Sequence, residues 1–218
     1  MADILGCYCT GWFQVTKINV TFRDKAQVQK DCRAWAREIR ESYLPDAIVF
    51  VAKSGFLFAE TMADELGVPM ADISASRPGN DNKDKISKAV PKLPRWFLAL
   101  ALRSKSQIKF NKANSDRCVI VSDRLKELSY GNPKRILLVD DSVDTGWTII
   151  KAKEEIAKLN PGALIKVAGY CVLDESEGMV KTDYYRYRNM IVITATSRYS
   201  SEYKDFLTGF EKWKDKSG

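Results

Sequence analysis

Two adjacent carboxylates, Asp140 and Asp141, followed by Ser142-Val143-Asp144-Thr145-Gly146-Trp147-Thr148, form the stretch of this chain whose residue types and spacing could do chemistry. The carboxylates can accept hydrogen bonds from sugar hydroxyls or face a hard divalent cation, but they cannot bind a phosphate. The small residues after them can. A helix opening at about Thr145 presents unpaired backbone N–H groups and the positive end of its dipole, with the Thr145 and Thr148 hydroxyls beside them. One short region thus offers separate places for a phosphate and for a diol or metal, an arrangement suited to a phosphorylated ribose.

The elements around this stretch must position it. Residues 136–139 are a continuous apolar run, as expected of a central parallel strand, and the acidic pair stands at its tip. After the polar turn, Ile149, Lys153, Ile156 and Leu159 mark a helix closed by Asn160-Pro161-Gly162. A second unit has the same order. Residues 47–52 read as a buried strand, Lys53-Ser54-Gly55 as a loop, and Phe56, Ala59, Ala63 and Leu66 as a helix ending at Gly67. Backbone amides around Ser54 and Gly55 can cradle an anion while Lys53 adds charge.

The remaining elements follow from pattern. Residues 1–23 contain Trp12, Phe13 and a strand-like run at 15–20, either an edge strand or part of a small lid. Val28, Cys32, Trp35 and Ile39 give the helix expected over 24–43 its apolar face, and its other face is solvated. Short strands are expected at 70–76, 118–122, 164–172 and 190–195. An amphipathic helix is expected over 200–213, with Tyr203, Phe206, Phe210 and Trp213 on one stripe.

The chain has 218 residues, 45% hydrophobic and 29% charged, enough for one generous α/β domain that buries its core without staples. No run approaches the length needed to span a bilayer, and the N-terminus lacks a signal-peptide layout, which points to a cytoplasmic protein. Five cysteines, at 7, 9, 32, 118 and 171, read as free thiols of a reducing compartment. There is no histidine, which removes Ser-His and Cys-His catalysis and histidine metal sites together.

Charge is unevenly distributed. Residues 77–117 carry eleven basic side chains against three acidic ones, a local net of +8, while the whole chain is +7. Residues 96–102 give this segment an apolar core between Arg95 and Arg103, consistent with a helix. Two readings stay open: a lid or subunit-contact element, or a basic amphipathic surface for an anionic membrane or an acidic partner. Nucleic acid is disfavoured, because the aromatics do not interleave with the basic residues as stacking platforms would.

ILLVDDSVDTGWT, residues 136–148, resembles the phosphoribosyl pyrophosphate (PRPP) signature of the type I phosphoribosyltransferases. Asp144 ahead of Thr-Gly-x-Thr is most similar to the hypoxanthine, guanine and xanthine branch. The signal is strong because four apolar residues, the acidic pair and DTGxT all fall in register, while acidic pairs at strand tips also occur in flavodoxin-like receiver domains, which stay open as an alternative. Lys53-Ser54-Gly55 resembles the family's pyrophosphate loop, which often holds a non-proline cis peptide, expected here between Ala52 and Lys53. Lys181-Thr182-Asp183-Tyr184-Tyr185 looks like the xanthine-type enzymes. The next stretch, ITATSRY, departs from them where many carry an aromatic-Pro-Trp segment, and so leaves the base open. The resemblance covers most of residues 44–196 outside the basic insertion.

The resemblance implies a mostly parallel α/β sheet flanked by helices, with a mobile catalytic loop over 77–117 and a hood over 174–199. It implies attack of a purine ring nitrogen on C1 of PRPP with loss of pyrophosphate, assisted by Mg²⁺, in a homodimer. Asp140 and Asp141 would hold the ribose hydroxyls, directly or through the metal, and Asp174 is a further metal candidate. Asp144, Thr145, Gly146, Trp147 and Thr148 would bind the 5-phosphate, Lys53, Ser54 and Gly55 the pyrophosphate, and Asp144 would accept the proton of the base. Tyr184 and Tyr185 either stack on that base or are ordinary core aromatics. Two alternatives keep the PRPP site: a transferase with another acceptor, tied to a membrane or surface-polysaccharide pathway through the basic insertion, or a non-enzymatic regulator that binds PRPP or nucleotides.

Overall fold

The computed structural model describes residues 19–76, 118–176 and 178–216. Trp12, Phe13, Cys7, Cys9 and the basic segment 77–117 lie outside the described residues, together with the expectations placed on them.

Apolar runs become the centre of a six-stranded sheet. Its strands are β2 (Ala47–Ala52), β3 (Met70–Ser76), β4 (Cys118–Val121), β5 (Arg135–Val143), β6 (Leu164–Val172) and β7 (Tyr184–Arg188). They lie in the order β4-β3-β2-β5-β6-β7, and only β4 is antiparallel to its neighbour. A two-stranded parallel sheet pairs β1 (Asn19–Phe22) with β8 (Met190–Ile193).

Among the described residues five α-helices accompany them: α1 (Lys25–Ser42), α2 (Phe56–Leu66), α3 (Asp123–Tyr130), α4 (Trp147–Leu159) and α5 (Tyr203–Asp215). One sheet face packs Ile48, Phe50, Leu137 and Val139 with side chains of α1, α2 and α5. The other packs Val49, Val51, Ile136 and Leu138 with side chains of α3 and α4. Both faces are covered, which is why β2 and residues 136–139 of β5 are apolar at every position. Each such fully buried aliphatic or aromatic side chain contributes about 1.5–3 kcal/mol.

Local signals set the element ends. Asp24 caps α1 in a capping box with Gln27, and Val28, Cys32, Trp35, Ala36 and Ile39 form its buried stripe. Beyond its end, the Tyr43 hydroxyl donates to the Ile136 and Leu164 carbonyls at 3.1 and 2.7 Å, tying α1 to the sheet. α2 stops at Gly67, whose φ of 67° is the left-handed conformation of a helix end. The Ala52–Lys53 peptide is cis, as expected.

Several boundaries differ from the sequence reading. β5 does not stop at Val139 but continues through the acidic pair to Val143, because β6 pairs with it as far as Val143 and Val172. α4 begins at Trp147 rather than at Thr145, since Gly146 at φ 81° is not helical. Residues 184–188 form a strand of the main sheet that pattern alone did not reveal. β8 ends at Ile193, and its partner is β1. Among the described residues no helix is long and apolar enough to cross a membrane.

Candidate active site

The carboxyl ends of β2 and β5 are neighbours in the sheet, and each leads into a loop and a helix. The two loops therefore meet. Ser54 Oγ donates to Asp141 Oδ1 at 2.8 Å, joining the Lys53-Ser54-Gly55 loop to the acidic pair. Gly55 packs so closely that a Cβ would stand 2.7 Å from the Val51 carbonyl oxygen and 3.2 Å from that of Val139. No side chain fits there.

Asp140 is buried at 5% exposure, and its Oδ1 accepts from the Asp141 backbone N–H at 2.9 Å. Burial holds the Asp140 carboxyl well above the usual carboxylate range, and Asp141 and Asp144 push it further in the same direction. Asp141 is also raised, chiefly by desolvation, with the Ser54 hydroxyl pulling it back down. Among the described residues neither has a lysine or arginine partner in an ion pair, so no cationic side chain there offsets the pair.

Beside it, Asp140, Ser142, Asp144, Thr145, Gly146 and Thr148 line one pocket. The N-cap residue of α4, Gly146, has no side chain to cap the helix, so the first-turn N–H groups keep their capacity to bind an anion. Gly146 is required twice over: its φ is 81°, and a Cβ would come within 2.5 Å of Val180 Cγ1. Trp147 is the half-buried first residue of α4, and Thr148 follows, buried. Asp144 Oδ1 accepts from Ser142 Oγ at 2.6 Å.

The Lys53 side chain is more than half exposed, with Nζ 3.9 Å from Glu211 Oε1 of α5. Asp174 stands past the end of β6, but its carboxylate is engaged: Arg188 Nε donates to it at 2.6 Å, and Asn189 Nδ2 donates to its other oxygen. Those two donors, Asn189 first, lower its pKa. Tyr184 is half-buried on β7. Its hydroxyl accepts from Lys166 Nζ at 3.0 Å and bonds Oγ of Ser42, the last residue of α1, at 3.1 Å. Tyr185 is exposed, with the Arg188 guanidinium 5.9 Å from its ring centroid. The structure thus brings the signature and the Lys-Ser-Gly loop together and leaves the two tyrosines and Asp174 with partners of their own.

The profile of the phosphoribosyl transferase domain matches residues 21–204, most of the chain. The chain belongs to that family. Its fold is that of the type I enzymes, an α/β architecture with a mostly parallel sheet flanked by helices. Solved structures with this fold include a purine phosphoribosyltransferase from Pyrococcus horikoshii, 23% identical over 80% of this chain and 91% of that one, with a TM-score of 0.53. A hypothetical protein from Neisseria gonorrhoeae with bound ppGpp is 13% identical over 89% and 97%, at a TM-score of 0.56. The xanthine-guanine-hypoxanthine phosphoribosyltransferase of Helicobacter pylori is 12% identical over 88% and 99%, at 0.55.

Within this family member, three contributors near the site had no signal of their own in the sequence. Ser142 orients Asp144, and its place inside the signature was the only hint. Val180 closes over Gly146, and Glu211 meets Lys53 from the far end of the chain; pairings between such distant residues leave no local pattern.

Proposed function

We propose that this protein transfers the 5-phosphoribosyl group of PRPP to a nucleobase, a purine first among the candidates, and releases pyrophosphate. The observation that carries this reading is the meeting of an acidic pair that no described cation offsets, a helix N-terminus opened by Gly146 and the Lys53-Ser54-Gly55 loop, joined by the Ser54–Asp141 hydrogen bond. Each part of PRPP has a complementary partner. Thr145, Gly146, Trp147 and Thr148 bind the 5-phosphate through first-turn amides and hydroxyls. Asp140 and Asp141 hold the ribose hydroxyls and so fix C1 for in-line attack. Lys53, Ser54 and Gly55 take the pyrophosphate, and Asp144 accepts the proton lost by the attacking base.

Magnesium suits the same residues. Among the described residues these two desolvated carboxylates have no cationic partner, which suits a hard dication, and no third carboxylate, cysteine or histidine joins them there. The remaining ligands are then water and substrate oxygens, the mixed shell that Mg²⁺ prefers. Asp140 and Asp141 would hold it, directly or through water, and it would make the leaving pyrophosphate less basic.

A second reading keeps the PRPP chemistry and changes the acceptor. It is favoured by Tyr184, whose hydroxyl is already engaged by Lys166 and Ser42 and not offered to a base beside the acidic pair. The test for both is pyrophosphate release from PRPP and Mg²⁺, with guanine, hypoxanthine, xanthine, adenine, uracil and orotate offered singly. Release with an oxopurine, abolished by Asp144→Asn, supports the first reading. Silence with all six bases, from protein that binds PRPP, rejects it and moves the search to other acceptors or to nucleotide-responsive regulation.

A further inference from the structure

The C-terminal helix reaches the loop assigned above to pyrophosphate. Phe50 and Phe56 flank that loop, and α5 packs Phe210 and Trp213 on both of them. Trp213 lies 5.2 and 5.3 Å from the two ring centroids, and Phe210 6.5 and 5.4 Å. Arg124 of α3 fixes the end of the same helix. Its guanidinium lies 3.6 Å from the Trp213 ring centroid, and Nη2 donates to the Trp213 and Lys214 carbonyls at 2.6 and 2.7 Å, satisfying acceptors that the last turn leaves open. α5 is therefore held over the loop from two sides. Glu211, between Phe210 and Trp213, brings Oε1 to 3.9 Å from Lys53 Nζ. Ser54, the next residue of the loop, gives its hydroxyl to Asp141. Both donor side chains of the loop are thus matched to carboxylates of the protein itself.

We propose that Glu211 is a positioning residue for Lys53: a resident anion that stands in for pyrophosphate, competes with it for the lysine ammonium, and so loosens product binding. The proposal rests on the reading of Lys53-Ser54-Gly55 as the pyrophosphate loop. Glu211 lies beyond residue 204, where the family match ends. The geometry suits a displaceable contact. The side chains of Lys53 and Glu211 are 59% and 55% exposed, and an exposed pair at this distance is weak and exchanges readily. A buried, tight pair would exclude the ligand. A weak one tunes it, by about two- to five-fold in affinity for an interaction of this class.

The test is calorimetric titration of magnesium pyrophosphate into the wild type, Glu211→Gln, Glu211→Asp, Lys53→Ala and the Lys53→Ala/Glu211→Gln double variant. Glu211→Gln is expected to bind pyrophosphate about two- to five-fold more tightly than the wild type. Glu211→Asp is expected to return toward the wild-type value, and the tightening to vanish when Lys53 is absent. A Glu211→Gln affinity equal to or weaker than wild type overturns the proposal, as does tightening that survives the loss of Lys53, because the effect would then be structural or long-range. The loop assignment is tested separately. If the wild type does not bind pyrophosphate, or Lys53→Ala binds it as well as wild type, that assignment fails and takes the role of Glu211 with it. If Lys53→Ala weakens binding while Glu211→Gln changes nothing, only the role of Glu211 falls.

Discussion

Ser54 Oγ and Asp141 Oδ1 stand 2.8 Å apart across 87 residues of sequence, and this bond joins the two loops of the candidate site. It also lowers a carboxyl that burial otherwise raises. Ser54→Ala should therefore act in two ways. Losing a hydrogen bond to a charged group should reduce kcat/KM for PRPP about ten-fold or more. The Asp141 carboxyl should rise further, moving the acid limb of the pH–kcat/KM profile to higher pH. Steady-state kinetics across pH checks both, and an unmoved acid limb would show that Asp141 does not titrate in that limb.

Asp140→Asn should separate stability from function. A folded-state carboxyl raised above its unfolded value of about 3.9 binds its proton more tightly in the folded protein. Its contribution to stability is fully present below the unfolded value and is lost as pH rises through the folded value. The amide oxygen can still accept the Asp141 N–H, and the repulsion is gone. The variant should thus be more stable than wild type at neutral pH, by about 0.5–2 kcal/mol, and the advantage should disappear on acidification, while PRPP turnover falls sharply. Thermal melts at pH 4 and pH 7.5 measure it.

The parts of the fold legible in the sequence were those set by local pattern. β2, β3 and β6 are apolar or alternating runs bounded by turn residues, and α1 announces itself by Asp24 and a regular buried stripe. The strand formed by Asp140, Asp141 and Ser142 was not legible, since acidic residues have low strand propensity and only the ladder with β6 holds them extended. β7 was hidden for a similar reason. Tyr184, Tyr185 and Tyr187 blur its alternation, and pairing with β6 decides it. In the candidate site the two loops could be read from residue type, but not the contacts that orient them, of which Ser54–Asp141 and Lys53–Glu211 are the examples.

Gly146→Ala should damage the site from within. The residue sits at φ 81°, and the added methyl would meet Val180 Cγ1 at 2.5 Å, so both backbone and contact oppose it. The expected loss of stability is about 1–3 kcal/mol. The KM for PRPP should rise more than the KM for the acceptor if the disturbed amides bind the 5-phosphate as proposed. Chemical denaturation and kinetics with each substrate varied in turn test the two statements independently.

Cysteine reactivity should report burial residue by residue. Burial drives the Cys32 thiol far above its ordinary value and pushes Cys171 up to about 12, whereas Cys118 is exposed on the edge strand β4. At pH 8 the first two hold almost no thiolate, the reactive form. Iodoacetamide applied to the native protein should therefore modify Cys118, and Cys32 and Cys171 only after denaturation, as peptide mass mapping would show. Early labelling of Cys32 would place α1 differently against the sheet.

Asp174 offers a test between two roles. Read from the sequence it is a metal candidate. In the structure it binds the turn between β7 and β8: Arg188 and Asn189 donate to its carboxylate, and its own N–H donates to Asn189 Oδ1 at 2.9 Å. Asn189 has a φ of 52°, an uncommon conformation that these bonds hold in place, and its N–H reaches the Val172 carbonyl at 2.9 Å. The turn joins the main sheet to the strand that pairs with β1, so it sets where the small sheet sits. Asp174→Ala should lower the melting midpoint and raise the KM for the acceptor, with the concentration of Mg²⁺ needed for half-maximal activity unchanged. Activity measured against Mg²⁺ decides the matter, because a ligand to the metal cannot be removed without moving that midpoint.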